Sequence, residues 1–296
     1  KEEAYVETDM TRPLGVYGKS KEEGEQALLE SKKTTYILRT AWLYGPFGQN
    51  FMKTMQKLGF NRSSLNVVDD QFGCPTSSIA LAEVIRQLIA KDRQWLKKND
   101  GIYHVTNHGK ASWAEFAKAI MAKSDLSCQV NPIPSKEYPT LARRPKHSVL
   151  NTAKIERTLG MSLRPWEEEL EAIIELQQQL MLDNIKSIAV KAGHAIMHIY
   201  NTMPDDIGVQ KKSDDSPLTK ADLASNAVIV AGLKKHFPDI PIISEENKNK
   251  SYDERKHWNT VWIVDPLDGT KEFIKRNGEF TVNIALVRDG KPILGV

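Results

Sequence analysis

The sequence predicts an α/β chain of two domains, 1–178 and 179–296, on three observations. Short apolar, partly β-branched runs such as Tyr36-Ile37-Leu38 and Trp262-Ile263-Val264 stand between longer stretches of helical periodicity. The 296 residues suit two domains on a prior of roughly 150 residues each. An acid- and Gln-rich helical run, Glu167 to Leu180, divides two portions with no internal repeat, and Met181-Leu182-Asp183 reads as a fresh start.

Composition narrows the class. With 40% hydrophobic and 27% charged residues the chain is an ordinary globular one. Lys and Arg number 41 against 38 Asp and Glu, a formal charge of +3 with the signs interleaved, which argues against a nucleic-acid partner. Cys74 and Cys128 are too few and too far apart for a disulfide framework or a zinc site, and fit a reducing cytoplasm. No apolar run reaches the length of a membrane span, and Lys1 opens no signal-peptide pattern.

From the N-terminus, Val16 to about Ser31 is rich in Glu, Lys, Ala and Leu and reads as an amphipathic helix. Tyr17 and Lys21, four apart, share a face of it. An ammonium beside a phenol favours phenolate, so Tyr17 can deliver a proton to a carbonyl oxygen; a solvated helix face has the same spacing. Tyr36-Ile37-Leu38 is a buried strand, and Trp42 beyond it is either core or the wall of a site. His104, His108 and His147 lack metal-ligand spacing.

Glu7-Thr8-Asp9, Pro13-Leu14, Val16-Tyr17-Gly18-Lys19-Ser20-Lys21, Leu38 to Gly45, Asp70-Gln71-Phe72-Gly73, Gly101 to Val105, Arg144-Pro145 and Leu150-Asn151-Thr152 together resemble dTDP-4-dehydrorhamnose reductase, an extended short-chain dehydrogenase/reductase. The resemblance implies a Rossmann-type reductase with a substrate-binding subdomain, Tyr17 as proton donor, Lys21 as its electrostatic partner and NADPH contact, and Trp42 as a wall of the sugar pocket. Arg144 is implied at the substrate diphosphate, where its planar fork suits phosphate oxygens; solvation at the surface is the equal alternative. Such a reductase starts with a strand, a Gly-rich turn and a helix that bind the pyrophosphate. Nothing before Tyr17 has that form, and Thr8 and Thr11 are poor stand-ins for the upstream Ser or Thr of the triad. The expectation is a partial reductase without its cofactor cradle, in a chain that begins without Met.

In the second half, a helix from about Asp183 to Tyr200 carries an apolar face through Ile185, Ile188, Ala192, Ile196 and Ile199. The polar stretch Lys211 to Pro217 contains Lys212, either solvated or touching phosphate. Leu218 to His236 is a helix bearing Asp222, Pro241 to Ser244 a strand ending in Glu245-Glu246, and Asn247 to His257 a lysine-rich surface loop. The stretch Trp262-Ile-Val-Asp-Pro-Leu-Asp-Gly-Thr-Lys-Glu-Phe273 is the most informative. Pro266 and Gly269 predict that strand pairing ends at Asp265 and that the chain turns, letting Asp265 and Asp268 face one point. Two close carboxylates repel unless a cation sits between them, and a hard divalent ion such as Mg²⁺ suits oxygen donors. An Asp that caps its own turn is the competing reading. Phe280 to Val287 is a strand, Arg288-Asp289-Gly290-Lys291 a hairpin turn, and Pro292 to Val296 the start of the returning strand.

The order of these acidic words resembles the Mg²⁺-dependent phosphatase superfamily of inositol monophosphatase, and with Lys271-Glu272 its 3'(2'),5'-bisphosphate nucleotidase branch. The resemblance implies a partial α+β layered sugar-phosphatase-like domain. It implies metal ligands at Glu245, Asp265, Asp268 and the Leu267 carbonyl, with Thr270 and Asp222 orienting the attacking water. Phosphate would meet the same segment, from Glu245 through Leu267 and Asp268 to the amides after Gly269. A further metal-ligating Asp of that superfamily lies in a later subdomain, so this half too is expected to be partial. The reading is a fusion of a reductase acting on a dTDP-sugar with a phosphatase acting on a nucleotide bisphosphate, with a homo-oligomer left open. Inositol monophosphate hydrolysis and a non-catalytic scaffold are the alternatives.

Overall fold

The computed structural model describes residues 3–140, 142, 144–202, 207–211, 217–248 and 250–296; Lys212 lies outside them. The chain divides into two compact units, Lys1–Leu176 and Gln177–Val296. Among the described residues no helix is long and apolar enough to cross a membrane.

The first unit opens with α1 (Val16–Glu30), β1 (Tyr36–Arg39), β2 (Leu43–Tyr44), α2 (Phe51–Asn61), β3 (Ser64–Val68), β4 (Phe72–Gly73) and β5 (Thr76–Ser77). It continues through α3 (Ser78–Ile89), α4 (Arg93–Lys98), β6 (Gly101–His104), β7 (Ala111–Ser112), α5 (Trp113–Lys123), β8 (Gln129–Ile133), α6 (Ala153–Leu159) and the start of α7 (Trp166–Thr202). β1 pairs with β6, β2 with β5 and β3 with β8, all parallel, while β4 and β7 are antiparallel. Helix starts are set by side-chain caps. The Asn50 side chain accepts from Lys53 N, Ser77 from Ile79 N and Ala80 N, and Ser112 forms a capping box with Glu115. Met52, Phe116, Ile120 and Leu170, all fully buried, bring α2, α5 and α7 into one core with β3 and β8. Each such side chain contributes about 1.5–3 kcal/mol by leaving water.

α1 departs from expectation. None of its residues is buried, and Val16, Tyr17, Leu28 and Leu29 are exposed. What fastens it is a charged pair with β1: Arg39 donates from Nε to Glu25 Oε1 (2.9 Å) and from Nη2 to Oε2 (2.5 Å). That bidentate fork was invisible to an argument from periodicity.

The second unit holds the rest of α7, β9 (Gln210–Lys211), β10 (Pro217–Leu218), α8 (Lys220–His236), β11 (Ile242–Ser244), α9 (Tyr252–Arg255), β12 (Thr260–Asp268), α10 (Thr270–Lys275), β13 (Thr281–Arg288) and β14 (Lys291–Gly295). The sheet order is β11-β12-β13-β14, parallel across the first pair and antiparallel across the others. Ile185, Ile188 and Ala192 of α7 pack with Ile229 and Leu233 of α8 over Trp262, Val264, Ile284 and Leu286 of the sheet. A second cluster joins Ile196, Ile199, Ala221, Leu267 and Phe273.

The helical run after Pro165 and the helix beginning near Asp183, whose continuity the sequence leaves open, form one helix, Trp166–Thr202. Two expectations change here. The lysine-rich loop contains a helical turn, α9, started by a Ser251–Glu254 capping box. Strand pairing does not end at Asp265: β12 bulges over Pro266 and Leu267 and rejoins β13 at Asp268, opposite Thr281. Pro266 has no N–H to give the ladder, and a bulge lets the strand skip it without stopping. The β13–β14 turn follows expectation, with Asp289 (φ 47°) and Gly290 (φ 75°) both left-handed, as a two-residue Asp-Gly hairpin turn requires.

Candidate active sites

In the second unit the site is built on one end of the sheet and the first turns of α8 and α10. β11 ends at Ser244, so Glu245 leaves the sheet beside β12; Glu245 N donates to Val264 O (3.2 Å). Asp265, half-buried, is pushed up to about 6 from the ordinary 3.8, first by burial and then by the Glu245 charge, with Asp268 adding to it. Glu245 also shares a hydrogen bond with it, and a bond from Leu267 N to Asp265 Oδ1 (3.2 Å) works in the opposite direction. The structure thus brings Glu245 and Asp265 together as a repelling pair that favours a proton or a cation between them.

Asp268 is not drawn into the same cluster. The bulge returns it to the ladder, where Asn283 Nδ2 donates to its Oδ2 (3.2 Å). Among the described residues no three His, Cys, Asp or Glu side chains stand close enough to hold a metal ion. The expected set of Glu245, Asp265 and Asp268 is therefore corrected to a pair with Asp268 to one side. As a donor set the segment still suits a hard divalent cation, since carboxylate oxygens and backbone carbonyls are the ligands such ions take.

The structure brings Asp222 and Thr270 into hydrogen-bond contact. Asp222, 1% exposed, accepts from Thr270 Oγ1 at Oδ1 (3.1 Å). Its Oδ2 accepts from Thr219 N (2.8 Å) and Thr219 Oγ1 (2.5 Å), closing the capping box of α8. Thr270 Oγ1 also lies 3.1 Å from the Leu267 carbonyl, so its one proton has two acceptors and its lone pairs face elsewhere. Gly269 caps α10 at φ 92°, and a Cβ there would sit 2.7 Å from the Glu279 carbonyl. Sequence reasoning missed Thr219, although Thr219-Lys-Ala-Asp222 has capping-box spacing. It also missed Asn283, Ser225 and Asn226, which no local pattern marks.

In the first unit Tyr17 is 77% exposed, and Lys21 Nζ lies over its ring, 5.4 Å from the centroid. The ammonium thus meets the π face of the ring, a geometry that helical spacing alone does not specify. Trp42 (φ 48°) stacks on Trp113 with centroids 3.5 Å apart and leans on Gly73, where a Cβ would approach the indole to 2.5 Å. Trp113, not Trp42, lines the neighbouring cavity of about 950 Å³. Arg144, Arg62 and Tyr138 on that cavity wall are exposed, and Gln71 beside them is partly buried. Trp42 is therefore the support of the wall rather than its surface.

The RmlD substrate binding domain family matches residues 1–179. The chain belongs to that family. The Inositol monophosphatase family matches residues 177–296. An RmlD-type reductase fold thus comes first and an inositol monophosphatase-type fold second, and both families are families of enzymes. The RmlD part is 42% identical over 178 residues to a dTDP-4-dehydrorhamnose reductase of Sinorhizobium fredii, covering 57% of this chain and 59% of that protein. The phosphatase part is 57% identical over 117 residues to the 3'(2'),5'-bisphosphate nucleotidase CysQ of Shigella flexneri, covering 39% of this chain and 46% of that protein. A crystal structure of dTDP-4-dehydrorhamnose reductase from Bacillus anthracis in complex with NADP is 38% identical, with a TM-score of 0.53, over 59% of each chain. The chain therefore spans about three fifths of the length of the RmlD relatives and under half that of the nucleotidases.

Proposed function

We propose that residues 177–296 carry the catalytic core of a divalent-cation-dependent phosphomonoesterase acting on the 3'-phosphate of a nucleoside 3',5'-bisphosphate. The observation that carries this reading is the Asp222–Thr270 hydrogen bond beside the Glu245–Asp265 pair. Asp222 is clamped at Oδ2 by Thr219, which leaves Oδ1 to share the Thr270 hydroxyl with the Leu267 carbonyl. Thr270 can accept the proton of a water while its own passes to Asp222 Oδ1, as the water oxygen bonds phosphorus, the ester P–O bond breaks and the departing 3'-oxygen is protonated from solvent. A bound cation supplies neutralisation of the phosphoryl oxygens and of the Glu245–Asp265 repulsion. The likeness to the nucleotidases supports a nucleotide substrate over inositol phosphate.

The test is phosphate release from adenosine 3',5'-bisphosphate with Mg²⁺ by the full chain, with inositol 1-phosphate alongside. Thr270→Ala is expected to lower release about 100-fold, the usual worth of a positioned acid–base group. Equal or faster turnover of the inositol phosphate would reassign the substrate. Wild-type rates that Thr270→Ala leaves unchanged would remove the role given to the hydroxyl.

Residues 1–179 are, on the same footing, the sugar-nucleotide-binding part of an NADPH-dependent dTDP-4-dehydrorhamnose reductase. The cavity beside Trp113 and Arg144 supports a ligand with an aromatic base and a diphosphate. Thymidine diphosphate is expected to quench tryptophan fluorescence, and Arg144→Ala to weaken that binding about tenfold. Quenching that survives Arg144→Ala would place the diphosphate elsewhere.

A further inference from the structure

Asp222, Ser225, Asn226 and Ile229 occupy one face of α8 at i, i+3, i+4 and i+7, and all four are buried. Three of them reach three different segments of the site. Asp222 holds Thr270 at the start of α10. Ser225 donates from Oγ to the Pro266 carbonyl (2.7 Å), in the bulge of β12 between Asp265 and Asp268. Asn226 accepts from Ser244 Oγ at Oδ1 (2.7 Å) and donates from Nδ2 to Asn247 Oδ1 (2.9 Å), on the two sides of Glu245-Glu246.

Sheet pairing alone does not do this work. The ladder between β11 and β12 ends at Ser244 and Val264, and beyond it the turn closes through Asn247 N to Ser244 O (3.3 Å), a local bond that does not tie it to α8. The side chain of Asn226 spans that turn. Because α8 also grips Pro266 through Ser225, one rigid helix face holds both carboxylate-bearing segments at a set separation.

Resting on the cation reading above, we propose that Asn226 is a positioning residue: it sets the placement of Glu245 against Asp265 and thereby the preference of the site for a small cation. Mg²⁺ needs short, nearly octahedral contacts, whereas Ca²⁺ accepts longer and more irregular ones. Loosening the turn should therefore injure Mg²⁺ binding selectively, and general loss of structure should not.

The experiment is calorimetric titration of the full chain with Mg²⁺ and, separately, Ca²⁺, for the wild type, Asn226→Ala and Ser244→Ala. The second variant cuts the same contact from its other end and serves if the first does not fold. Mg²⁺ affinity is expected to fall about tenfold in either variant, the usual effect of removing a residue that supports a ligand, and Ca²⁺ affinity by less than about threefold. In the metal-free variants the amides of Glu245 to Asn247 should exchange with solvent about tenfold faster. An unchanged Mg²⁺-to-Ca²⁺ affinity ratio in both variants overturns the proposal, whatever the exchange rates do. A wild type that binds neither cation is a different failure: it removes the cation reading and this proposal with it.

Discussion

Asp265 ties the pH dependence of folding to the proposed cation site through one carboxyl group. Its folded value, about 6, lies above the ordinary 3.8, so folding favours the protonated form. The sign follows from linkage: its contribution to stability is fully present below the ordinary value and is lost as pH rises through about 6 in the metal-free chain. On the proposed cation reading an ion would replace that proton, so Mg²⁺ affinity should climb with pH through the same range and level off above it. Calorimetry at about pH 5, 6, 7 and 8 in buffers of different ionisation enthalpy reads both the affinity and the released proton. Asp265→Asn should abolish the proton release and weaken binding. Affinity that does not vary across that range would show that the pair is not where the ion sits.

The segment from β12 into α10 depends on a single glycine. Gly269 stands at φ 92°, between a bulged strand and a helix, and a side chain there meets the Glu279 carbonyl at 2.7 Å. Gly269→Ala combines an unfavourable backbone conformation with a clash against backbone that cannot step aside, for which about 1–3 kcal/mol of destabilisation is expected. Chemical unfolding followed at Trp262 measures it, and a loss below about 0.5 kcal/mol would mean the turn relaxes freely. Gly269 and Pro266 were legible as punctuation in the sequence. That they bracket a bulge rather than end a strand was not, because the return to the ladder depends on β13, a partner supplied by later chain. The joining of two helical stretches into α7 was left open by the sequence, although Glu, Gln and Leu continue a helix readily.

Among the described residues each unit has its own hydrophobic clusters, the first around Phe116 and Leu170 and around Val84 and Tyr103, the second around Trp262 and Ile229 and around Ile196 and Phe273. The division near residue 177 was readable because the patterns on its two sides share nothing, and both likenesses rested on words of several residues whose chemistry constrains one another. Tyr17 with Lys21, and Asp222 with Thr270, are pairs of that kind. The first is brought onto one face by helical periodicity within α1, whereas the second joins residues 48 apart in sequence.

Local pattern fixed the α/β class, the two-part organisation, the hairpin at Asp289-Gly290 and the kinds of side chain available for chemistry, since each depends on neighbours within a few residues. Packing decided the rest: Asp268 stands aside from Glu245 and Asp265, Trp113 rather than Trp42 faces the cavity, and Asn226 bridges the turn after β11. Those outcomes depend on distances between segments far apart along the chain, and such distances exist only once the strands and helices have closed upon one another.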